Sequence, residues 1–226
     1  MQKSKTSLAS VVRGCPDIGM FALDRPIPGS CVHRTSYCNT ECFNVKLYRI
    51  YPAMAGKDER NEAAWQEMDV ESVAGLDKTL ERRTSLPTDR FRLMTRGEAF
   101  RDGGDIDRVR LLAAGMLDRT IWIPTRAWRD PILRARIVSE IMPLPNVVVL
   151  ASLDPSNNSG EHADLVSEGW STMYFGKPGK GWDGPERGFK CPKTYRGLKG
   201  HCGICKAGCF APKTMERRVD VLLKSH

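Results

Sequence analysis

The chain has no apolar run approaching the roughly eighteen residues that a membrane-spanning helix needs. Residues 1–15 lack the apolar core of a secretory signal. No internal repeat or low-complexity tract is present. These absences argue against a helical membrane protein, a secreted precursor and a repeat array, and we expect a cytoplasmic protein. What is there is the balance of a globular chain: 226 residues, 41% hydrophobic and 27% charged. That length supports one full core with a small appended module. We expect residues 1–175 to form the main domain and 176–226 a basic cysteine-rich segment packed on it.

Seven of the eight cysteines fall in two tight groups. The first is Cys31-x6-Cys38-x3-Cys42; the second is Cys191-x10-Cys202-x2-Cys205-x3-Cys209, with glycines at 197, 200, 203 and 208. Glycine allows the sharp turns that aim several sulfurs at one point, and a C-x-x-C step lets neighbours share an ion or cluster. Disulfides are disfavoured in a reducing cytosol, so dense thiols there favour metal. Thiolates suit both zinc and iron–sulfur. Structural zinc sites commonly pair two short cysteine steps, whereas this tail has one distant cysteine followed by a tight triplet. That spacing favours an iron–sulfur cluster, [4Fe–4S], with zinc as the alternative. Either the first group holds one cluster and the tail a second site, or both converge on one cluster. His33 and His201 adjoin cysteines as further candidates, and Cys15, before a proline, is left over as a buried or incidental thiol.

The formal charge is +8, and residues 176–226 carry twelve Lys and Arg against four Asp and Glu, a surplus that equals that of the whole chain. A basic segment can contact nucleic acid. It can equally offset the negative charge of a tetrathiolate site, through Lys190, Lys193, Lys199 and Lys206. The two readings are compatible.

The hydrophobic pattern predicts a polar, frayed start over 1–14, a strand over 18–23, and a loop through Pro26, Pro28 and Gly29 that delivers the chain to Cys31. Residues after Cys42 begin a helix or continue extended, and helices follow over 58–68 and 70–83. From Arg90 the cadence is regular. Strands are expected at 90–95, 120–125, 146–151 and 171–175. Helices are expected over 105–117, after the Asp130-Pro131 cap signal, and around 161–167. Alternating β and α implies a parallel sheet with right-handed crossovers. The chain is short for a closed eight-stranded barrel, so we expect an α/β fold built as a partial (β/α) barrel of about five or six βα units, or an open parallel sheet. Chemistry in such folds gathers at the carboxyl ends of the strands. That rule selects Arg96, Gly97, Glu98, Arg126, Ser152 and Asp154 as candidate contacts for a small-molecule ligand. Trp65, Trp122, Trp128 and Trp170 are expected in the core.

Several motifs together resemble a known family. They are the cysteines after a first strand, the stretch Thr95-Arg96-Gly97-Glu98-Ala99, Thr125-Arg126, Ser152-Leu153-Asp154, and the tail Cys191-Pro192 with Cys202-Gly203-Ile204-Cys205 and Cys209. In this order they resemble the phage-encoded, cysteine-rich gene product 88 family, from about Cys31 to Cys209. The resemblance implies a phage origin, hence a host-cytoplasm location, and kinship with iron–sulfur proteins on a partial barrel like that of radical S-adenosylmethionine (SAM) enzymes. Those enzymes place three thiolates after the first strand and leave one iron open for SAM. Cys31, Cys38 and Cys42 keep the number and the place but not the spacing, and Gly97-Glu98 is similar to part of the motif that meets the SAM amino group. Three functions follow as expectations. The first is a redox or radical-SAM-like iron–sulfur enzyme. The second is a module stapled by zinc or a structural cluster that binds nucleic acid through its tail, and the third is a purely structural or host-interaction protein.

Overall fold

The computed structural model describes residues 7–198, 202, 204–205, 208–210 and 218–224. Helix α1 (Leu8–Val11) and strand β1 (Arg13–Cys15) come first, then β2 (Met20–Leu23). Four helices follow: α2 (Ser36–Glu41), α3 (Phe43–Ile50), α4 (Ala53–Gln66) and α5 (Val70–Glu81). The regular part alternates β3 (Arg90–Leu93), α6 (Gly103–Gly115), β4 (Thr120–Thr125), α7 (Pro131–Arg136), β5 (Val147–Leu153), α8 (Ser159–Ser167) and β6 (Ser171–Gly176). The tail adds β7 (Phe189–Lys190), α9 (Pro192–Arg196) and β8 (Asp220–Lys224).

Local chemistry fixes the helix starts. The Asp130 carboxylate accepts from the backbone N–H groups of Ile132 and Leu133, with Pro131 at the first helical position of α7. Reciprocal capping boxes open α5 (Asp69 with Ser72) and α8 (Asn158 with Glu161). The predicted strands and helices of the regular part all form. The chain start differs from expectation. Leu8, Val11 and Val12 are buried, and β1 pairs antiparallel with β2. Two apolar side chains one helical turn apart suffice to dock α1 against α4 and α5.

Among the described residues the sheet has eight strands in the order β1-β2-β3-β4-β5-β6-β8-β7, parallel from β2 onward. It is open and mostly parallel rather than closed as a barrel. From β2 to β6 the order advances one strand at a time in one direction, so right-handed crossovers put the helices on one face. Alternation along the strands divides the core accordingly. Ile121, Ile123, Val147 and Val149 face the helices with Phe21, Phe91, Trp65 and Trp170. Met20, Trp122, Val148, Leu150 and Val221 face the other way, and there Phe210 and the tail cysteines Cys191, Cys202 and Cys209 cover them. The described part of the cysteine-rich segment thus covers the sheet face opposite the crossover helices. Among the described residues no helix is long and apolar enough to cross a membrane.

Candidate thiol site at the strand ends

The carboxyl ends of β2 to β5 meet the first cysteine group. Thr35 caps α2, accepting from the Cys38 N–H at 3.0 Å, and Cys42 stands at the junction where α2 stops and α3 starts. The same Thr35 hydroxyl donates to Asp154 Oδ2 at 2.5 Å, tying α2 to the end of β5. Arg126, directly after β4, brings Nη1 to 2.7 Å from Asp154 Oδ2, in an orientation that leaves this buried N–H without a directed hydrogen bond. Glu98, after β3, accepts from Ala99 N at 2.8 Å, Phe100 N at 3.2 Å, Thr125 Oγ1 at 2.6 Å and Arg126 N at 2.8 Å. Thus Glu98, Arg126 and Asp154, selected from the sequence, form one buried polar network.

The three thiols respond to that network and to one another. Burial, and then the Glu98 charge, push Cys31 up to about 12. Cys38 donates its S–H to Cys42, which raises Cys38 and pulls Cys42 down to about 6. The backbone N–H groups of Val45 and Asn44 at the start of α3, and the Arg126 charge, stabilise the Cys42 thiolate further. His33 lies close enough to Glu98 for their charges to interact, and its Nε2 is buried without a hydrogen-bond partner. We expect that in metal-free protein iodoacetamide modifies Cys42 first, at a rate that climbs through about pH 6 and then levels. Peptide mapping by mass spectrometry checks this, and equal labelling of Cys31 would contradict it.

The other selected residues have different tasks. Arg96 is bound bidentately to Asp58 (2.8 and 2.7 Å) and lies 3.0 Å from Asp24. Its guanidinium is therefore committed within the fold. Gly97 has φ +82°, and a Cβ there would stand 2.6 Å from both the Arg25 carbonyl and Ser30 Oγ, so glycine is required sterically. Ser152 takes part through its carbonyl, which accepts from Trp128 Nε1 at 3.0 Å. Composition and spacing gave no hint of the ion-pair cluster behind these residues. Arg25 reaches Glu62, Asp105 and the carbonyls of Glu98 and Ala99. Asp24 collects Arg13, Thr95 and Arg96. Burial works to raise the Asp24 pKa, but Arg13 and Arg96 outweigh it and hold it below the ordinary carboxylate value.

The second cysteine group sits on that covered face. Arg90 Nη1 donates to the carbonyls of Cys202 (2.8 Å) and Cys205 (3.2 Å) while its guanidinium lies 4.9 Å from the Phe210 ring centroid. Arg92 stacks over Trp122 at 4.6 Å. Burial pushes Cys202 up to about 11 against the opposing charges of Arg92 and Lys193. Cys15 is buried in this same cluster. His201 lies outside the described residues. Among the described residues no three Cys, His, Asp or Glu side chains already converge in metal-ligand geometry. The donor chemistry still fits a thiophilic centre, because each group collects several thiols and each has a cation beside it, Arg126 in one and Arg92 in the other.

A family model described as Gene product 88 matches residues 6–174. No curated protein and no solved structure matches the chain.

Proposed function

The chain belongs to the Gene product 88 family, and from the placing of its cysteines we propose that it is an iron–sulfur protein with two thiolate sites. The observation that carries the reading is the placing of Cys38 and Cys42, bonded to each other and with Cys31 beside them, near the part-buried guanidinium of Arg126 at the carboxyl ends of a parallel sheet. Three thiolates of this group would hold a [4Fe–4S] cluster with one iron free of protein ligands. Such a cluster supplies one-electron chemistry and an open iron for a substrate. Arg126 offsets the thiolate charge, and Asp154 in turn keeps Arg126 in position. Thr35 anchors the helix that carries Cys38, while the turn into α3 points N–H groups at Cys42. The tail, with Cys191, Cys202, Cys205 and Cys209, provides four thiols and therefore a closed structural site, for a second cluster or for zinc.

SAM as the ligand of the open iron, and a partial barrel as the frame, are the finer form of this reading. The Glu98 carboxylate does not add to it, since all four of its hydrogen bonds go to neighbouring protein donors.

Anaerobic purification followed by a visible spectrum and by iron, sulfide and zinc assays tests the proposal. The expected protein is brown, with matched iron and sulfide at about four of each per cluster. Cys31→Ser, Cys38→Ser and Cys42→Ser should each remove the strand-end share of iron and leave the tail's metal in place. A colourless protein holding only zinc, after reconstitution has also failed, overturns the reading.

A further inference from the structure

We propose that the sheet edge formed by β7 and α9, on either side of the tail thiol Cys191, is a binding surface for single-stranded nucleic acid. β7 is the last strand of the sheet, and both of its residues are exposed, Phe189 by 39% of its surface. The next element, α9, presents Tyr195, 40% exposed, and Arg196. Four aromatic side chains are exposed among the described residues, Phe43, Tyr51 and these two. Phe189 and Lys190 are adjacent in a strand and point to opposite faces, so a strand of nucleic acid that crosses this edge meets both rings. Lys190 Nζ stands 5.8 Å from the centroid of the Tyr195 ring, so cation and ring share one patch.

The charge on the patch is free to act on a ligand. Residues 176–198 hold six Lys and Arg against Asp183 and Glu186. Lys177 is taken by Glu41 and Lys193 by Asp17. Arg187, Lys190 and Arg196 have no carboxylate partner within salt-bridge distance among the described residues. Cations beside exposed rings fit a phosphate backbone whose bases are unstacked and available to lie on aromatic faces. A duplex keeps its bases inside, and α9, at five residues, is too short to read a major groove. An acidic peptide would satisfy the cations and leave the rings without a partner. Ring stacking and phosphate contacts ignore the sugar, so DNA and RNA strands should bind alike.

Fluorescence anisotropy of the full chain as purified, with labelled 12-nucleotide DNA and RNA strands and a 12-base-pair duplex, tests this. Both single strands should bind with similar affinity, at least tenfold more tightly than the duplex. Three phosphate contacts predict a loss of roughly tenfold or more between 50 and 200 mM salt. Phe189→Ala with Tyr195→Ala should weaken binding by roughly tenfold or more while keeping the salt slope. Lys190→Glu with Arg196→Glu should reduce both affinity and slope. All four side chains are exposed, so circular dichroism should be unchanged; if either pair of substitutions fails to fold, ultraviolet cross-linking of bound strand to Phe189 or Tyr195 in the unmodified protein decides. The proposal is overturned by equal duplex binding, by no single-strand binding at 50 mM salt, by binding that survives both variants, or by polyglutamate competing as well as the strands do.

Discussion

Arg25→Met should lower the unfolding free energy by about 3–5 kcal/mol, the range seen when one partner of a buried ion pair is removed. For a chain of this length that is a fall in melting temperature of roughly 6–20 °C. The size follows from what Arg25 holds. Its side chain is fully buried and binds Glu62 through two bonds (2.6 and 2.8 Å), Asp105 at 2.7 Å, and the carbonyls of Glu98 and Ala99. Methionine fills much of the volume but returns no donor, which leaves Asp105 buried with its charge less compensated. Trp65 Nε1 and the Arg101 N–H still bond to Asp105, which keeps the loss from being larger. Urea titration of wild type and variant measures it directly. A loss under 1 kcal/mol would mean that the cluster does not hold α4 to the strand ends.

Glu98→Ala should cost a comparable amount, about 3–5 kcal/mol, by a different route. It removes the acceptor of four hydrogen bonds and leaves the N–H groups of Ala99, Phe100 and Arg126 and the Thr125 hydroxyl without their partner in a buried site. Glu98→Gln should be milder, about 1–3 kcal/mol, because its carbonyl oxygen can keep the three bonds at Oε1 while its NH2 faces the Arg126 N–H, donor against donor. Thermal melts of the two variants therefore rank Ala below Gln and both below wild type. If both melt like wild type, Glu98 is not organising the loop, and a ligand contact becomes the better account of the residue.

How far the sequence discloses the fold depends on the element. The strands 120–125 and 147–153 are legible because apolar side chains recur without interruption where both faces are covered. α7 is legible from Asp130-Pro131 alone. β1 is not, because Arg-Gly-Cys has no apolar alternation and gains its place only by pairing with β2. β7 and β8 are hidden for a similar reason: they are short strands set in a basic, turn-rich segment, with the long sequence gap between β6 and β8 concealing their partnership. Within the site, the cysteine spacing and the strand-end rule lead to Glu98, Arg126 and Asp154. They do not lead to Asp24, Arg25, Asp58 or Asp105, whose partners include residues 37 to 80 positions away. Charge on a sequence does not say which opposite charge it will meet. Cys15 reads as a buried or incidental thiol, and it is buried; its place beside the tail is not legible, since only the sheet turns it there.

The strand β8 enters the sheet between β6 and β7, so the connection from β6 to β8 does the work that a crossover helix does elsewhere. That connection is about forty residues long, a span whose closure is entropically costly without internal structure. A centre held by Cys191, Cys202, Cys205 and Cys209, as proposed, would partition it into short loops and leave the final strand less conformational freedom to lose on docking. Metal loading and completion of the sheet would then be one cooperative event, in which the inorganic centre replaces a helix as the nucleus of the last folding step.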